Sequence, residues 1–159
     1  MDSDMTQAYA TRVTQANRSQ LIVIIYEIIL DHIKSGIKAY ENHDLETFDK
    51  DLKQAQKFVN ELISTLDFKY PISFDLANLY LYTNKRIITA IIQRKPDSLE
   101  SGIKVMESLY KGFLGVEKED FSQPLMENIQ QVYAGLTYGK GALNETFIDS
   151  KEETRGFRA

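Results

Sequence analysis

The chain has 159 residues, of which 43% are hydrophobic and 26% are charged, so it is long enough to form one domain with a sizeable core. Its net charge of −4 provides no positive surface for nucleic acid, and its lack of cysteine excludes disulfides and thiolate metal sites. No apolar run reaches the about 20 residues that a membrane span requires, and the acidic N-terminus does not resemble a signal peptide. We therefore expect a cytosolic protein without membrane insertion.

Residues 1–16 form a polar N-terminal arm in which the apolar residues Tyr9 and Val13 stand four positions apart. Chain ends are poorly ordered unless they are tied down, and two apolar side chains offer little to hold this one. We therefore expect the arm to be frayed, with docking through Tyr9 and Val13 as the alternative.

A long helix is predicted to begin near Asn17 and to end near residues 41–43. Nine of the ten residues at 21–30 are apolar or aromatic, which would also suit a buried strand, but the apolar pattern continues to residue 40 at helical spacing. Asn17 and Gln20 occupy the two positions of a capping box. The apolar face of this helix is wider than a helix on a protein surface needs.

The next two predicted helices are separated by a connector at residues 67–73. The earlier helix begins after Asp44, a suitable N-cap, and carries a heptad-like apolar seam. Within the connector, Pro71 disfavours helix at the preceding residue, and Ser73 is the predicted N-cap of the later helix. That later helix ends at Pro96 and is apolar on more than one stripe.

A fourth helix is predicted to follow a capping-box pattern formed by Asp97 and Glu100. Two glycines weaken its end, ahead of a polar connector at residues 117–120. A shorter fifth helix starts near Pro124. Its apolar residues are aligned at helical spacing: Leu125, Ile129, Val132, Tyr133 and Leu136. The pattern then stops, which predicts a flexible tail at residues 138–159.

These elements predict an all-α fold. Short loops between long helices make sequential neighbours antiparallel, so the four long helices form an up-down four-helix bundle with the fifth helix as an addition. The predicted organisation is an N-terminal arm at residues 1–16, a bundle domain at 17–137 and a tail at 138–159. A bundle needs one apolar stripe per helix, and the first and third predicted helices have more. The fifth helix, the tail, a second copy of the chain or a partner's amphipathic helix must cover the excess.

No residue pattern predicts catalysis, a cofactor or a metal site. His32 and His43 belong to neither a Glu-x-x-His nor a His-x-x-x-His pattern. The glycines and lysine at residues 139–141 lack the rest of a phosphate-binding loop and follow a helix where a strand is required. We interpret His32 as a boundary residue of the first helix, with a phosphoacceptor role as the alternative. Arg86 could bind a carboxylate of a partner or pair within the chain.

The order and spacing of several helix motifs resemble those of the FliS family, the flagellar secretion chaperones that export flagellin. The resemblance spans roughly residues 9–115. The residues that carry it are Tyr9 ahead of Val13, the run LIVIIYE at residues 21–27, Glu61-Leu62 with Leu66-Asp67, and Leu76, Leu79, Tyr80, Tyr82 and Arg86. Residues from about 122 onward have no counterpart in the family pattern.

The resemblance implies an antiparallel helical bundle that acts as a non-enzymatic export chaperone. Such a protein binds the disordered C-terminal segment of flagellin, prevents its premature polymerisation in the bacterial cytosol and delivers it to the flagellar type III export apparatus. The implied partner is flagellin, and components of the export gate are further candidates. Binding would fold the flagellin segment, so the entropy cost of ordering offsets much of the contact energy.

By the same resemblance, six residues are assigned to partner binding: Tyr9, Val13, Tyr26, Tyr80, Tyr82 and Arg86. Tyr26 is expected near the exposed side of the first predicted helix. The arm is expected to occupy the binding groove when no client is present. Core positions are expected instead for five aliphatic residues: Leu21, Ile25, Leu62, Leu66 and Leu79.

Two other functions remain open. The excess apolar surface of the first predicted helix could form the homodimer of a self-associating structural bundle. A histidine phosphotransfer protein that uses His32 is the less favoured alternative. A separate hypothesis concerns the tail, whose isolated apolar residues would dock on the bundle in place of the client: Leu143, Phe147, Ile148 and Phe157.

Overall fold

The computed structural model describes residues 3–125, and this part of the chain contains five α-helices and no strand. They are α1 (Ser3–Gln15), α2 (Arg18–Glu41), α3 (Leu45–Ser64), α4 (Ile72–Gln93) and α5 (Leu99–Glu119). The predicted all-α fold is confirmed. The predicted fifth helix beyond Leu125 and the predicted tail lie outside the described residues.

Helices α2 to α5 form the predicted four-helix bundle. Helix α2 packs against α3 and α5, and α4 packs against the same two neighbours on the opposite side. Because successive helices run antiparallel, α2 and α4 begin, and α3 and α5 end, at one end of the bundle, which we name the hinge end. The largest side chains of the core come from all four helices: Tyr26, Ile29, Ile33, Phe48, Leu52, Val59, Leu62, Tyr80, Ile87, Leu99 and Met106.

The two predicted caps of α2 and α3 are confirmed. Asn17 Oδ1 accepts a hydrogen bond from the Gln20 amide at 2.9 Å, and Gln20 Oε1 accepts one from the Asn17 amide at 3.0 Å. These two bonds complete the capping box that the sequence indicates. At the start of α3, the Asp44 carboxylate accepts a hydrogen bond from the Thr47 amide at 3.0 Å.

The predicted N-caps of α4 and α5, Ser73 and Asp97, are both wrong. Ser73 lies inside α4, and its hydroxyl donates to the Asp67 carbonyl oxygen at 2.6 Å. At the start of α5, the N-cap position belongs to Ser98, so Asp97 is not placed to form the predicted capping box. Ser98 makes no side-chain cap bond. The Ser98 hydroxyl donates instead to the Arg86 carbonyl oxygen of α4 at 2.8 Å.

Helix α5 is longer than predicted, because it continues through the two glycines and the predicted polar connector to Glu119. A glycine inside a helix costs only about 1 kcal/mol relative to alanine. Tyr110 and Phe113 pack against the core in this part of the helix and offset that cost.

The N-terminal arm is a docked helix, so the expectation of a frayed segment is wrong. Helix α1 buries Tyr9, Ala10 and Val13. Ala16, which follows the helix, is also buried, whereas residues 3–8 are exposed, so close contact with α2 is confined to the second half of α1. No helix in the described region of the chain has the length and hydropathy that crossing a bilayer would require.

Candidate functional site

The surface beneath α1 is apolar and is formed by α2 and α3. Tyr9 and Val13 pack there on Ile24 and Ile28 of α2, with Phe58 of α3 at the border. We name this surface the α1 seat. It forms a cluster separate from the main core, and it brings together the two arm residues that the sequence singled out.

Polar contacts at the margin fix α1 on its seat. The Tyr9 hydroxyl donates a hydrogen bond to the Asp31 carboxylate, and Arg12 forms an ion pair with Glu27. Burial, and next the bond to Asp31, raise the pKa of Tyr9 above its ordinary value. Glu27 also accepts a hydrogen bond from the Tyr110 hydroxyl of α5 at 3.0 Å. The Glu27 carboxylate of α2 therefore contacts side chains of both α1 and α5.

Tyr26 lies in the core, so the expectation of a position near the exposed side of its helix is wrong. Its side chain is fully buried, with an exposed fraction of 0%. Its hydroxyl lies 2.5 Å from the hydroxyl of Tyr80, which is also buried, and its ring meets the edge of Phe113 at a centroid distance of 5.5 Å. Burial raises the pKa of both tyrosines. The pair links the diagonally opposed helices α2 and α4.

Tyr82 and Arg86, the remaining two predicted site residues, lie on α4 outside the core. Tyr82 is exposed. Arg86 is half-buried, and its Nε donates to the Ser98 carbonyl oxygen at 3.1 Å, while the Ser98 hydroxyl donates back to the Arg86 carbonyl oxygen. Arg86 therefore pairs within the chain and fixes the turn between α4 and α5. The six predicted site residues do not form one continuous surface.

The outward face of α4 carries a row of exposed apolar side chains. Phe74, Leu81, Ile88 and Ile92 follow one another at spacings of seven and four residues, and their exposed fractions lie between 37% and 75%. We name these four residues the outer α4 row. The sequence indicated a second apolar stripe on this helix, but its position relative to solvent required the structure.

A shallow groove lies between α4 and α5. It has a volume of about 260 Å³ and is lined by Leu79, Lys104, Val105, Ser108 and Leu109. Leu79 was expected in the core and is instead partly exposed in this groove. Of the other expected core residues, Leu62 is fully buried, and three lie partly buried at the core margin: Leu21, Ile25 and Leu66.

His32 is buried and paired, which disfavours its use as a phosphoacceptor. Its Nδ1 lies 3.0 Å from an Asp51 oxygen, and its ring stacks on Phe58. The second Asp51 oxygen accepts from the Ser35 hydroxyl at 2.6 Å. Burial lowers the pKa of His32, although the bond to Asp51 opposes this change. Burial would raise the pKa of Asp51, but the bonds from Ser35 and His32 lower it overall. The lowered pKa of His32 and the lowered pKa of Asp51 are both consistent with a neutral His32 that donates a hydrogen bond to a charged Asp51.

The segment after α5 is tied to the hinge between α1 and α2, a contact that sequence reasoning missed. Asn17 Nδ2 donates to the carbonyl oxygens of Asp120 at 3.0 Å and Ser122 at 3.4 Å. The Ser19 hydroxyl donates to the Asp120 carboxylate at 2.6 Å, and the Leu125 amide donates to the Ala16 carbonyl oxygen at 3.1 Å. Hydrogen bonds from Ser122 and Ser19 lower the pKa of Asp120 to about 2. No local spacing pattern indicates such a long-range contact.

Within residues 3–125, no group of three or more acidic or histidine side chains is placed to hold a metal ion. The α1 seat and the outer α4 row present apolar side chains for packing. This arrangement suits the binding of a polypeptide segment through an amphipathic face.

Comparison with known proteins agrees with the helical architecture and with the sequence motifs. The family described as flagellar protein FliS matches residues 1–120. The flagellar secretion chaperone FliS of Bacillus subtilis (strain 168) is 26% identical over 111 residues, which cover 68% of this chain and 84% of that protein. The family match extends over most of the chain and includes all five described helices. The chain belongs to the FliS family of flagellar proteins.

Proposed function

We propose that the protein is a flagellar export chaperone that binds the disordered C-terminal segment of flagellin. In this role it prevents premature polymerisation and delivers the segment to the flagellar type III export apparatus. Family membership and the printed name of the Bacillus subtilis relative support the general role. The protein acts through binding, without a catalytic step.

The exposed apolar surface of α4 is the observation that carries this proposal. The outer α4 row extends over 19 residues of helix, from Phe74 to Ile92. At a rise of about 1.5 Å per residue it is about 27 Å long, which matches five turns of an amphipathic client helix. Each large apolar side chain that becomes buried contributes about 1.5–3 kcal/mol, part of which offsets the cost of ordering the client. Tyr82 and Arg86 lie on the same helix, and we assign them to contacts with the client.

The α1 seat is a second surface that a client segment could use. Tyr9 and Val13 place two apolar side chains four residues apart on this seat, which is how an amphipathic client helix would bind. We propose that α1 occupies the seat when no client is present and that a client segment replaces it. The buried residues Tyr26 and Tyr80 then serve binding only by holding α2 and α4 at their spacing.

Calorimetric titration with the C-terminal segment of flagellin from the same organism, with circular dichroism in parallel, tests the proposal. We expect binding with a negative heat-capacity change and a gain of helix. The double substitution Leu81→Ser with Ile92→Ser should weaken binding at least tenfold. The two lost apolar contacts together are worth more than the about 1.4 kcal/mol that corresponds to a tenfold change in affinity. Leu45→Ser, at an exposed leucine that starts α3, is the matched control and should bind normally. Absence of heat at several temperatures together with unchanged helicity would reject the proposal.

A self-associating structural bundle is the second candidate, because the outer α4 row could equally pack against its copy in another molecule. A homodimer predicts a mass that rises with protein concentration. Sedimentation equilibrium of the protein without client separates the two candidates, and a concentration-independent monomer mass would eliminate the dimer.

A further inference from the structure

The connector between α3 and α4 exposes a group of large apolar side chains at the hinge end of the bundle. Phe68, Tyr70, Ile72 and Phe74 have exposed fractions between 49% and 62%. The rings of Phe68 and Phe74 lie against each other with a centroid distance of 5.1 Å. We name these four residues the connector patch. An exposed apolar cluster of this kind on a soluble domain marks a surface that something covers.

The described chain stops at the same end of the bundle. The Leu125 amide is bonded to the Ala16 carbonyl oxygen at the α1–α2 hinge, and α4 begins at that end as well. Phe121 and Leu125 are themselves exposed there. The 34 residues that follow, 126–159, therefore leave the described structure at the same end of the bundle as the connector patch.

The sequence immediately beyond this point has the pattern of an amphipathic helix. Its apolar positions are spaced by three or four residues, and its polar residues fall on the other side. The apolar stripe consists of Leu125, Ile129, Val132, Tyr133 and Leu136. The match to the FliS family ends at residue 120, so this stripe is outside the matched region.

We propose that residues 126–137 dock as an amphipathic helix across the hinge end, with their apolar stripe on the connector patch. Twelve helical residues extend about 18 Å, and neighbouring helices in a bundle lie about 8–10 Å apart, so the segment is long enough to reach from the hinge to the connector. A short tether gives an effective concentration on the order of millimolar, which favours this segment over a second copy at micromolar concentration. The inference concerns the protein alone and does not depend on the proposed function.

Engineered cysteine pairs in the full chain test the proposal directly, because the chain has no cysteine of its own. Lys69→Cys beside the patch, combined with Val132→Cys on the stripe, should form an intramolecular disulfide in a glutathione redox buffer. Ala134→Cys replaces Val132→Cys in the first control, since residue 134 lies on the opposite side of the predicted helix. Ile92→Cys replaces Lys69→Cys in the second control, since Ile92 is also exposed but lies at the far end of α4.

The expected result is an equilibrium constant for the Lys69→Cys and Val132→Cys pair at least tenfold above both controls. Equal constants for the three pairs would show a segment without a preferred position and would overturn the proposal. Covalent dimers in place of the intramolecular product would overturn it in favour of a second copy.

Hydrogen exchange of the full chain provides a measurement that does not depend on cysteines. Ile129→Asp places a charge in the stripe and should accelerate exchange of the amides at residues 66–74. Ala134→Asp adds the same charge on the opposite side and should leave that exchange unchanged. An identical exchange pattern in the two variants would contradict the docking.

Discussion

The hydroxyl groups of Tyr26 and Tyr80 satisfy each other inside a core that contains few other polar groups. Neither side chain has access to water, so each hydroxyl depends on the other for its hydrogen bond. A buried hydroxyl that loses its partner costs about 1–3 kcal/mol, whereas the removal of both hydroxyls is nearly neutral.

A double-mutant cycle on this pair should therefore be strongly non-additive. We expect Tyr26→Phe and Tyr80→Phe each to lower the free energy of unfolding by about 1–3 kcal/mol. The double variant should be at least as stable as either single variant, because no hydroxyl is then left without a partner. Urea denaturation measures all four stabilities, and additive losses would show that the hydroxyls do not depend on each other.

Burial of His32 makes the stability of the protein depend on pH. Because its pKa is lowered in the folded protein, the unfolded chain binds the proton first as pH falls below about 6.5, the usual value for histidine. The stabilising effect of a neutral His32 is therefore present above this pH and is lost below it. One proton limits the slope to about 1.4 kcal/mol per pH unit. Asp51 contributes in the same direction only at more acidic pH, because its own pKa is lowered.

We expect the free energy of unfolding to decrease from pH 7 to pH 5, and His32→Gln to remove most of that decrease. Glutamine can still donate a hydrogen bond to Asp51, so the core polar contact remains satisfied. His43→Gln, which changes an exposed histidine, is the control and should keep the pH dependence of the natural protein. Urea titrations at several pH values provide the measurement, and equal slopes for the two variants would contradict the assignment.

At the scale of elements, α4 has one apolar face in the core and a second apolar face exposed to solvent. Ile87 is fully buried, whereas its neighbour Ile88 belongs to the outer α4 row. Truncation of a buried isoleucine removes transfer free energy and leaves a cavity, which together cost about 2–5 kcal/mol. The same truncation at the surface changes stability by about 0.5 kcal/mol or less.

Ile87→Ala and Ile88→Ala therefore form a matched pair that differs only in the direction of the side chain. We expect a large loss of stability for Ile87→Ala and almost none for Ile88→Ala in thermal or urea unfolding. A comparable loss for both would indicate that another part of the chain already buries the outer α4 row.

The sequence predicted helices α2 and α3 well because their signals are local. Asn17, Gln20 and Asp44 are paired with residues three positions away, so spacing alone was sufficient. The caps predicted at Ser73 and Asp97 were wrong, and the hydroxyls of Ser73 and Ser98 bond across loops and helices, to Asp67 and Arg86. Contacts of that kind depend on the packing of helices, which spacing along the chain does not specify.

Prediction of the candidate site was limited in the same way, because spacing along the chain does not specify how the helices pack. Tyr9 and Val13 lie together on the α1 seat because their four-residue spacing puts them on one side of α1, and their role in binding stays a prediction. Tyr26 was placed on the wrong side because α2 is apolar over most of its circumference, so its sequence does not distinguish the core from the α1 seat. Whether a helix face is covered depends on its neighbours, and the outer α4 row could be recognised only from exposed fractions.

At the scale of the whole molecule, residues 3–125 contain two buried apolar clusters of unequal size. The larger cluster joins the four bundle helices, and the smaller one holds α1 on its seat. Regions with few buried contacts open at lower free energy than the rest of a protein. The small cluster should therefore open without disruption of the large one.

Val13→Asp should release α1 while the bundle stays folded. The carboxylate would be buried without a partner, so undocking of α1 is less costly than keeping the aspartate on the seat. We expect faster hydrogen exchange across Ser3–Gln15 and a nearly unchanged urea midpoint for α2 to α5. Gln7→Asp adds the same charge at an exposed position of α1 and should leave both quantities unchanged. Cooperative loss of all helices in Val13→Asp would refute the separation of the two clusters.

The bond between Asn17 and Asp120 joins residues that are 103 positions apart, and this distance sets an order of events on the ribosome. Helices α1, α2 and α3 emerge first, so the α1 seat and its occupant leave the exit tunnel well before residues 120–125 do. Domains generally fold from the N-terminus as the chain is synthesised. The α1–α2 hinge can reach its final hydrogen bonds only after residues 120–125 have left the exit tunnel. In a nascent chain, α1 is therefore held by its apolar contacts and by its polar contacts with Asp31 and Glu27 of α2, and the bonds from residues 120–125 at its base are added later.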